Sequence, residues 1–481
     1  MRKLFSHFSI QTLICVTILS PQTFAQSNVS EWSDIPEVLA NELGNRDLQY
    51  RRINYYSGEI RERVKQYSLN TKVPIEREAW KNLRIHSDLP KDLSAEAKDC
   101  WFALASGAPD CNLSEYKKTL RSMNSYIVKS LDLQQAGKNW STQYGMRRSR
   151  DLMMQALKLA DSDNNQIEER AIRVGKEANY VYPDSLKALP LSERKKTGIY
   201  FAYGYAYDTG LPSAMVKRSV SYAREQGFRS KAFATHTVGT SQANAKLIDA
   251  ELRKELPFVD RVYLIGASKG GHELVYFFLN LYPKWSAEEQ EKLHVILGLS
   301  AVVRNSYLGQ WMIEDKGVRL SLIRSLARYI THEDKEFSGM ASTLHDFWNE
   351  FSKDSTKKNS LQPHNNFAWI NFSMIPTDQT GNLHESADWV GFSNRALEFF
   401  PTLGPVDGLV ETGATVLPPD TGIRQWIVRG WGSHVTTYGV FLDGTPIASR
   451  GLSQKKAEII ESGAQSMDAL LRFLPVNPES I

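Results

Sequence analysis

The chain has 481 residues, 42% of them in the hydrophobic set and 23% charged, with 30 Gly, 19 Pro and three Cys. Those proportions exclude a collagen-like repeat, a disulfide-dense mini-scaffold and a predominantly disordered chain, and about 150 residues per domain suggests two to three domains. The 58 Lys and Arg against 54 Asp and Glu leave a formal charge of +4, too near balance to point to nucleic acid or an acidic polymer as a partner.

The first segment, 1–25, reads as a secretory signal. Arg2 and Lys3 form a positive n-region, Leu13 to Leu19 lie in a short apolar stretch, and Thr23-Phe24-Ala25 offers small residues where a signal peptidase reads. The apolar run is shorter than the ~20 residues a membrane span needs, and Ile14 before Cys15 is too large for a lipoprotein site. An exported protein, periplasmic or secreted, is therefore expected, with no transmembrane span after cleavage. Cleavage would leave Cys100 and Cys111 as the two remaining cysteines. An even pair close in sequence in an exported chain is expected to form a local structural disulfide, since the C-x-x-C spacing of redox catalysts is absent.

From 26 to 190 the chain is polar, with helical apolar spacing: Leu152, Leu157 and Leu159 share one segment, and Ile167, Ala171 and Val174 the next. A mainly helical N-terminal region is expected, with a junction around Pro183 to Pro190 followed by the charged run Glu193 to Lys196. After Gly198, over the remainder 191–481, strands and helices alternate. Strand candidates are Ile199 to Tyr205, Lys231 to Val238, Arg261 to Ile265, Val295 to Leu299, Ala368 to Ile375 and Arg424 to Val428. Helices are expected over Ala214 to Glu225, Ala243 to Leu256, Leu274 to Leu281 and Gln454 to Phe473. That succession predicts an α/β fold, a mostly parallel sheet covered by helices on both faces. A long insertion, about 302–366, carries Leu322, Leu326 and Ile330 on one helical face and is expected to cap the carboxyl edge of the sheet.

The sharpest motif is Gly266-Ala267-Ser268-Lys269-Gly270-Gly271, directly after one strand and before an apolar helix. A nucleophile on a tight strand-to-helix turn needs small neighbours, and Gly266 and Gly270 meet that need. The serine then requires a base and a group to orient it. His434, in Gly430-Trp431-Gly432-Ser433-His434 just beyond the last strand, is the first candidate, with His236 as runner-up. His272, four residues after Ser268, reads as a packing residue. Asp407, at the apex of Gly404-Pro405-Val406-Asp407-Gly408-Leu409-Val410 between the last two strands, is the leading acid, and Asp378 and Asp388 compete with it. No H-E-x-x-H or paired C-x-x-C supports a metal, and no cofactor is expected.

The order Ser268, Asp407, His434, in this elbow context, resembles the α/β-hydrolase superfamily in its esterase and lipase branch, over roughly Thr197 to Pro475. The resemblance implies an acyl-enzyme mechanism on a small-molecule or lipid ester, with an oxyanion hole made by the backbone N–H of Lys269 and one from Tyr203-Gly204-Tyr205-Ala206, that of Tyr205. Tyr203 stands where many relatives carry His. Two early strands of the full fold are not found before Gly198, so a reduced sheet of about six strands is expected. A peptidase or acyltransferase on the same triad, or a non-catalytic protein binding a partner through its helical region, are the alternatives; the sequence identifies no protein partner. The set Ser114-Glu115-Tyr116-Lys117, Ser122-Met123-Asn124 and Lys196-Thr197-Gly198 resembles penicillin-binding proteins only formally, because its first two elements lie within one helical stretch.

Overall fold

The computed structural model describes residues 113–144, 146–163, 165–177, 179–204, 210–236, 239–304, 306, 363–375, 404–407, 410–418, 421–431 and 456–480. Its centre is a six-stranded sheet made of β1 (Thr197–Ala202), β2 (Arg229–Ala232), β3 (Arg261–Ala267), β4 (Leu293–Leu299), β5 (Ala368–Ile375) and β6 (Gln425–Trp431). The spatial order is β2-β1-β3-β4-β5-β6, and every neighbouring pair is parallel.

Described helices are α1 (Leu113–Ser122), α2 (Ser125–Lys129), α3 (Leu133–Tyr144), α4 (Met146–Ala160), α5 (Gln166–Lys176), α6 (Leu191–Arg194), α7 (Gly210–Glu225), α8 (Ser241–Glu255), α9 (Lys269–Asn280), α10 (Ala287–Glu291) and α11 (Lys456–Phe473). Burial on both faces explains why the strands read as continuous apolar runs rather than alternating ones. Successive side chains of the central strands enter opposite cores. Ile199, Phe201, Tyr263, Ile265, Val295, Leu297, Ile370 and Phe372 pack with α5, α7 and α11 on one face. Tyr200, Val262, Leu264, Ile296 and Trp369 pack with α8 and α9 on the other. A buried side chain of this size contributes roughly 1.5–3 kcal/mol, so the pleat itself fixes register.

The expected strands are present, with two shortened at their carboxyl ends. β1 stops at Ala202, where the next backbone runs against Gly270 of α9. β2 stops at Ala232 because the chain turns away: Phe233 is buried against Tyr200, and the backbone of His236 is held by Asn244 of α8. Helix α9 begins at Lys269, five residues before the apolar run starts, because the turn at Ser268 places Lys269 directly in helical register.

Helices α2, α3, α4 and α5, all before Thr197, share cores with the sheet. Val128, Leu133, Trp140, Leu152 and Leu157 pack with Ile375, Val416 and Ile427. The segment joining α4 to α5 also covers the outer edge of β6. The backbone N–H groups of Gln425, Ile427 and Arg429 donate to Ser162 Oγ (3.0 Å), Asp161 Oδ2 (2.6 Å) and Glu168 Oε2 (2.8 Å), and Gln425 O accepts from Ser162 N. The Arg429 guanidinium pairs with both oxygens of the same Glu168. An uncovered edge strand offers a row of unpaired groups to any passing strand; here side chains about 260 residues upstream occupy that row. Burial pushes the Asp161 carboxyl up, opposed by backbone N–H bonds from Ile427, Asn165 and Asp163. No described helix is long and apolar enough to cross a membrane.

Candidate active site

The chain leaves β1 toward β2 on one side and then crosses back to lay β3 on the other side of β1. Loops diverging from such a reversal open a crevice at the carboxyl ends of the strands, the place where open α/β sheets bind ligands. Ser268 stands there, between the end of β3 and the start of α9.

Its backbone has φ 51° and ψ −122°. A residue with a Cβ rarely adopts that conformation, which costs on the order of 1–3 kcal/mol and persists only where the surroundings over-determine it. The surroundings do so. Ser268 N donates to Leu299 O (3.1 Å), and Ser268 O accepts from Gly271 N (3.1 Å) and Val302 N (2.9 Å), so the turn is tied to β4 and to the segment after it. The flanking glycines are steric requirements. A Cβ on Gly266 would stand 2.8 Å from Leu274 Cδ1 and 2.9 Å from Gly271 Cα, and one on Gly270 would overlap Ala202 O and lie 2.7 Å from Tyr203 O. The second contact presses the elbow helix directly on the chain leaving β1. Gly270→Ala is accordingly expected to lose about 1–3 kcal/mol to overpacking and to shift the Ala202–Tyr203 backbone. Thermal melting checks the stability, and an unchanged melting temperature would show that this packing is looser than described.

Lys269 follows the serine as the first residue of α9, where its amide has no acceptor one turn earlier in the helix. Its side chain is buried and its ammonium pairs with Glu273, one turn along, rather than with Ser268 Oγ. Glu273 Oε1 also accepts from Asn244 Nδ2 at 2.6 Å, and Asn244 brackets His236, accepting from its N–H (3.0 Å) and donating to its O (2.8 Å). This chain of contacts joins the elbow to the loop after β2. Burial pushes the Glu273 carboxyl up, with the Lys269 charge and the bonds from Lys269 and Asn244 opposing it. Glu273 Oε2 has no hydrogen-bond partner among the described residues. Next to it, His272 is buried, Nδ1 at 2.9 Å from Ser241 Oγ, and burial with the Lys269 charge pushes it down to about 3. That environment fits the packing role expected of it.

Asp407 is fully buried in a tight turn. Asp407 N donates to Val410 O (3.0 Å), Asp407 Oδ1 accepts from Val410 N (2.8 Å), and Val406 and Glu411 face each other as an antiparallel bridge. The segment that follows is anchored to the end of β5: Thr412 Oγ1 donates to Met374 O (2.9 Å), and Ser373 and Thr415 share a 2.6 Å hydroxyl contact. It also reaches the elbow. Val303 N and Arg304 N both donate to Ala414 O at 3.0 Å, and Val302, Val410 and Ala414 form one apolar cluster. Since Val302 N is the donor to Ser268 O, one hydrogen bond and one packed cluster separate the serine turn from the aspartate turn.

His434, Tyr205, Cys100, Cys111, Asp378, Asp388, the segment 1–25 and most of the insertion at about 302–366 lie outside the described residues. β6 ends at Trp431, three residues before His434, and β1 ends at Ala202, three before Tyr205. His236 is exposed beyond β2. His294, at the start of β4, is pushed down to about 4, chiefly by burial, far from the carboxyl edge. Ser114 and Ser122 share the single helix α1, which removes the penicillin-binding geometry. Among the described residues no group of three or more His, Cys, Asp or Glu could hold a metal. Sequence reasoning did not find Glu273, Asn244 or Glu411. The four-residue spacing of Lys269 and Glu273 was a visible signal, whereas nothing local marks the other two.

No family model and no curated protein sequence matches the chain. Solved structures similar to it include a metagenomic carboxyl esterase, at 11% identity and a TM-score of 0.36, covering 57% of this chain and 76% of that one. A Bacillus licheniformis lipase in its mature form is similar at 16% identity and a TM-score of 0.35, covering 52% and 88%. A lipase-esterase related protein from Clostridium acetobutylicum is similar at 12% identity and a TM-score of 0.25, covering 38% and 76%. These likenesses are distant, and the fold rests on the chain's own topology. A parallel sheet in this order, reversing once beside the strand that delivers Ser268 into a strained turn, has an α/β-hydrolase-like fold.

Proposed function

We propose that the protein is a serine hydrolase that cleaves carboxylic esters through an acyl-enzyme. The observation that carries this reading is the Ser268 turn: a serine in a strained conformation between a buried parallel strand and a helix, with glycines where side chains would collide. Ser268 Oγ attacks the ester carbonyl while His434 takes its proton. Asp407 orients the imidazole and stabilises its charged form. His434 then gives the proton to the departing alcohol, and water, activated by the same histidine, releases the acid. The Lys269 and Tyr205 backbone N–H groups stabilise the tetrahedral oxyanion, a donor of this kind contributing about 3–4 kcal/mol.

The remaining expectations belong to the same proposal: export after cleavage at Ala25, a Cys100–Cys111 bridge, and a cap built from the insertion at about 302–366. A peptidase or acyltransferase on the same three residues is the competing reading, and the choice of substrate separates it from an esterase.

A panel of p-nitrophenyl esters of rising acyl length, run beside peptide substrates on the full chain, tests the substrate class. Turnover of esters is expected; turnover of peptides alone would defeat the reading. Asp407→Asn is expected to lower kcat by about 10³- to 10⁴-fold through loss of the oriented imidazole. A wild-type rate in that variant would move the acid to Asp378 or Asp388.

A further inference from the structure

Helices before Thr197 lie outside the hydrolase-like core in sequence, yet α3 lies directly under the aspartate turn. The stems of that turn meet one stretch of α3. A Cβ on Gly404 would stand 3.0 Å from the carbonyl carbon of Gly137 and 3.1 Å from Lys138 N. A Cβ on Gly413 would lie 2.5 Å from Leu133 O and 2.7 Å from Gln134 Cα. Backbone therefore rests on backbone at both ends of 404–413.

Between these contacts Glu411 spans the two elements. Its Oε1 accepts from Gly404 N at 3.1 Å, and its Oε2 accepts from Gln134 Nε2 of α3 at 2.8 Å. Glu411 is 6% exposed, as is Gln134. No cation forms an ion pair with Glu411 among the described residues. Lys138 of α3 and Asp132, the residue just before that helix, are the charged groups that act on it, and Arg304 is engaged with Asp132. Burial accordingly dominates and pushes its carboxyl up to about 7. A carboxylate placed here at that desolvation cost does what an apolar residue cannot: it holds both the entrance of the turn and the helix beneath it.

We propose that Glu411 is a positioning residue for Asp407, fastening the aspartate turn to α3 and so making this upstream helix part of the active-site framework. The inference rests on Asp407 being the catalytic acid. It acts through geometry: the bridge from Val406 to Glu411 and the bonds between Asp407 and Val410 lie in the same turn, so slack at Glu411 is passed to the Asp407 carboxylate. A misplacement of about 1 Å at a catalytic group can cost on the order of 100-fold in rate.

The test is a double-mutant cycle on the full chain with a p-nitrophenyl ester. Glu411→Leu, which removes both bonds, is expected to lower kcat about 10- to 100-fold with KM within twofold. Glu411→Gln, which keeps one acceptor, is expected to fall between it and wild type. In the pair Asp407→Asn with Glu411→Leu, the kcat is expected to be no lower than that of Asp407→Asn alone, because Glu411 acts only through the carboxylate already removed. Multiplying losses, or a Glu411→Leu protein with wild-type kcat, would overturn the proposal. Should Glu411→Leu not fold, Gln134→Met reads the same tether from the helix side and is expected to lower kcat severalfold; an unchanged rate there counts equally against it. The acid assignment fails separately, on a wild-type rate for Asp407→Asn.

Discussion

Ser268→Ala is expected to abolish covalent labelling by a fluorophosphonate and to lower ester turnover by about 10⁴-fold or more, because no other described hydroxyl occupies the elbow. Any residual rate is expected to come from the proposed oxyanion donors and substrate binding alone. A second variant at the same position separates chemistry from strain. Ser268→Gly removes the Cβ that makes φ 51° and ψ −122° unfavourable, so it is expected to be equally inactive but more stable than Ser268→Ala, by about 1–2 kcal/mol. Thermal melting of the two variants, together with labelling of wild type, reads both effects. Equal labelling of wild type and Ser268→Ala would remove the serine from the mechanism. Equal stability of the alanine and glycine variants would mean that the turn stores no strain.

The largest stability effect is expected at Glu273. Glu273→Leu leaves the Lys269 ammonium buried beside the elbow without its ion-pair partner among the described residues, and removes one of the hydrogen bonds of the Asn244 side chain. Removing one member of a buried pair typically costs about 3–5 kcal/mol, because the stranded charge cannot be rehydrated. Replacing both members with apolar residues of similar volume avoids that penalty, so Lys269→Met combined with Glu273→Leu is expected to recover most of the loss. The Lys269 backbone N–H is retained throughout, which leaves the proposed oxyanion donor chemically intact. Urea unfolding of the two single variants and the double variant measures this directly. Additive losses would show that the two side chains contribute independently rather than as a pair.

Much of the fold is legible in the sequence itself. Strand and helix positions from Thr197 onward agree with the apolar runs because a sheet buried on both faces demands such runs. The elbow was legible for a different reason: a nucleophile on a strand-to-helix turn needs small residues at fixed offsets, and Gly266 and Gly270 stand at those offsets. Lys269 and Glu273 illustrate the limit. Their i, i+4 spacing is visible in the sequence, but an exposed pair of that kind is worth only ~0.3–0.5 kcal/mol, and nothing local says that this one is buried. The bond from Gln134 to Glu411 leaves no local mark in the sequence, since the two residues lie 277 positions apart.

What the sequence determined by itself is the alternation of the sheet, the strand that carries Ser268 and the turn that carries Asp407, all written in periodicities and small-residue spacings within a few positions of one another. Tertiary structure alone decided how the elements brace one another. Asp161, Ser162 and Glu168 close the edge of β6, Asn244 joins the elbow to the loop after β2, and α3 underlies the aspartate turn. Asp161, Glu168, Asn244 and Gln134 are polar side chains buried where separate parts of the chain meet, and a hydrogen bond between distant residues leaves no periodic trace. Its donor and acceptor are chosen by where packing brings the backbone, and packing is a property of the whole folded chain.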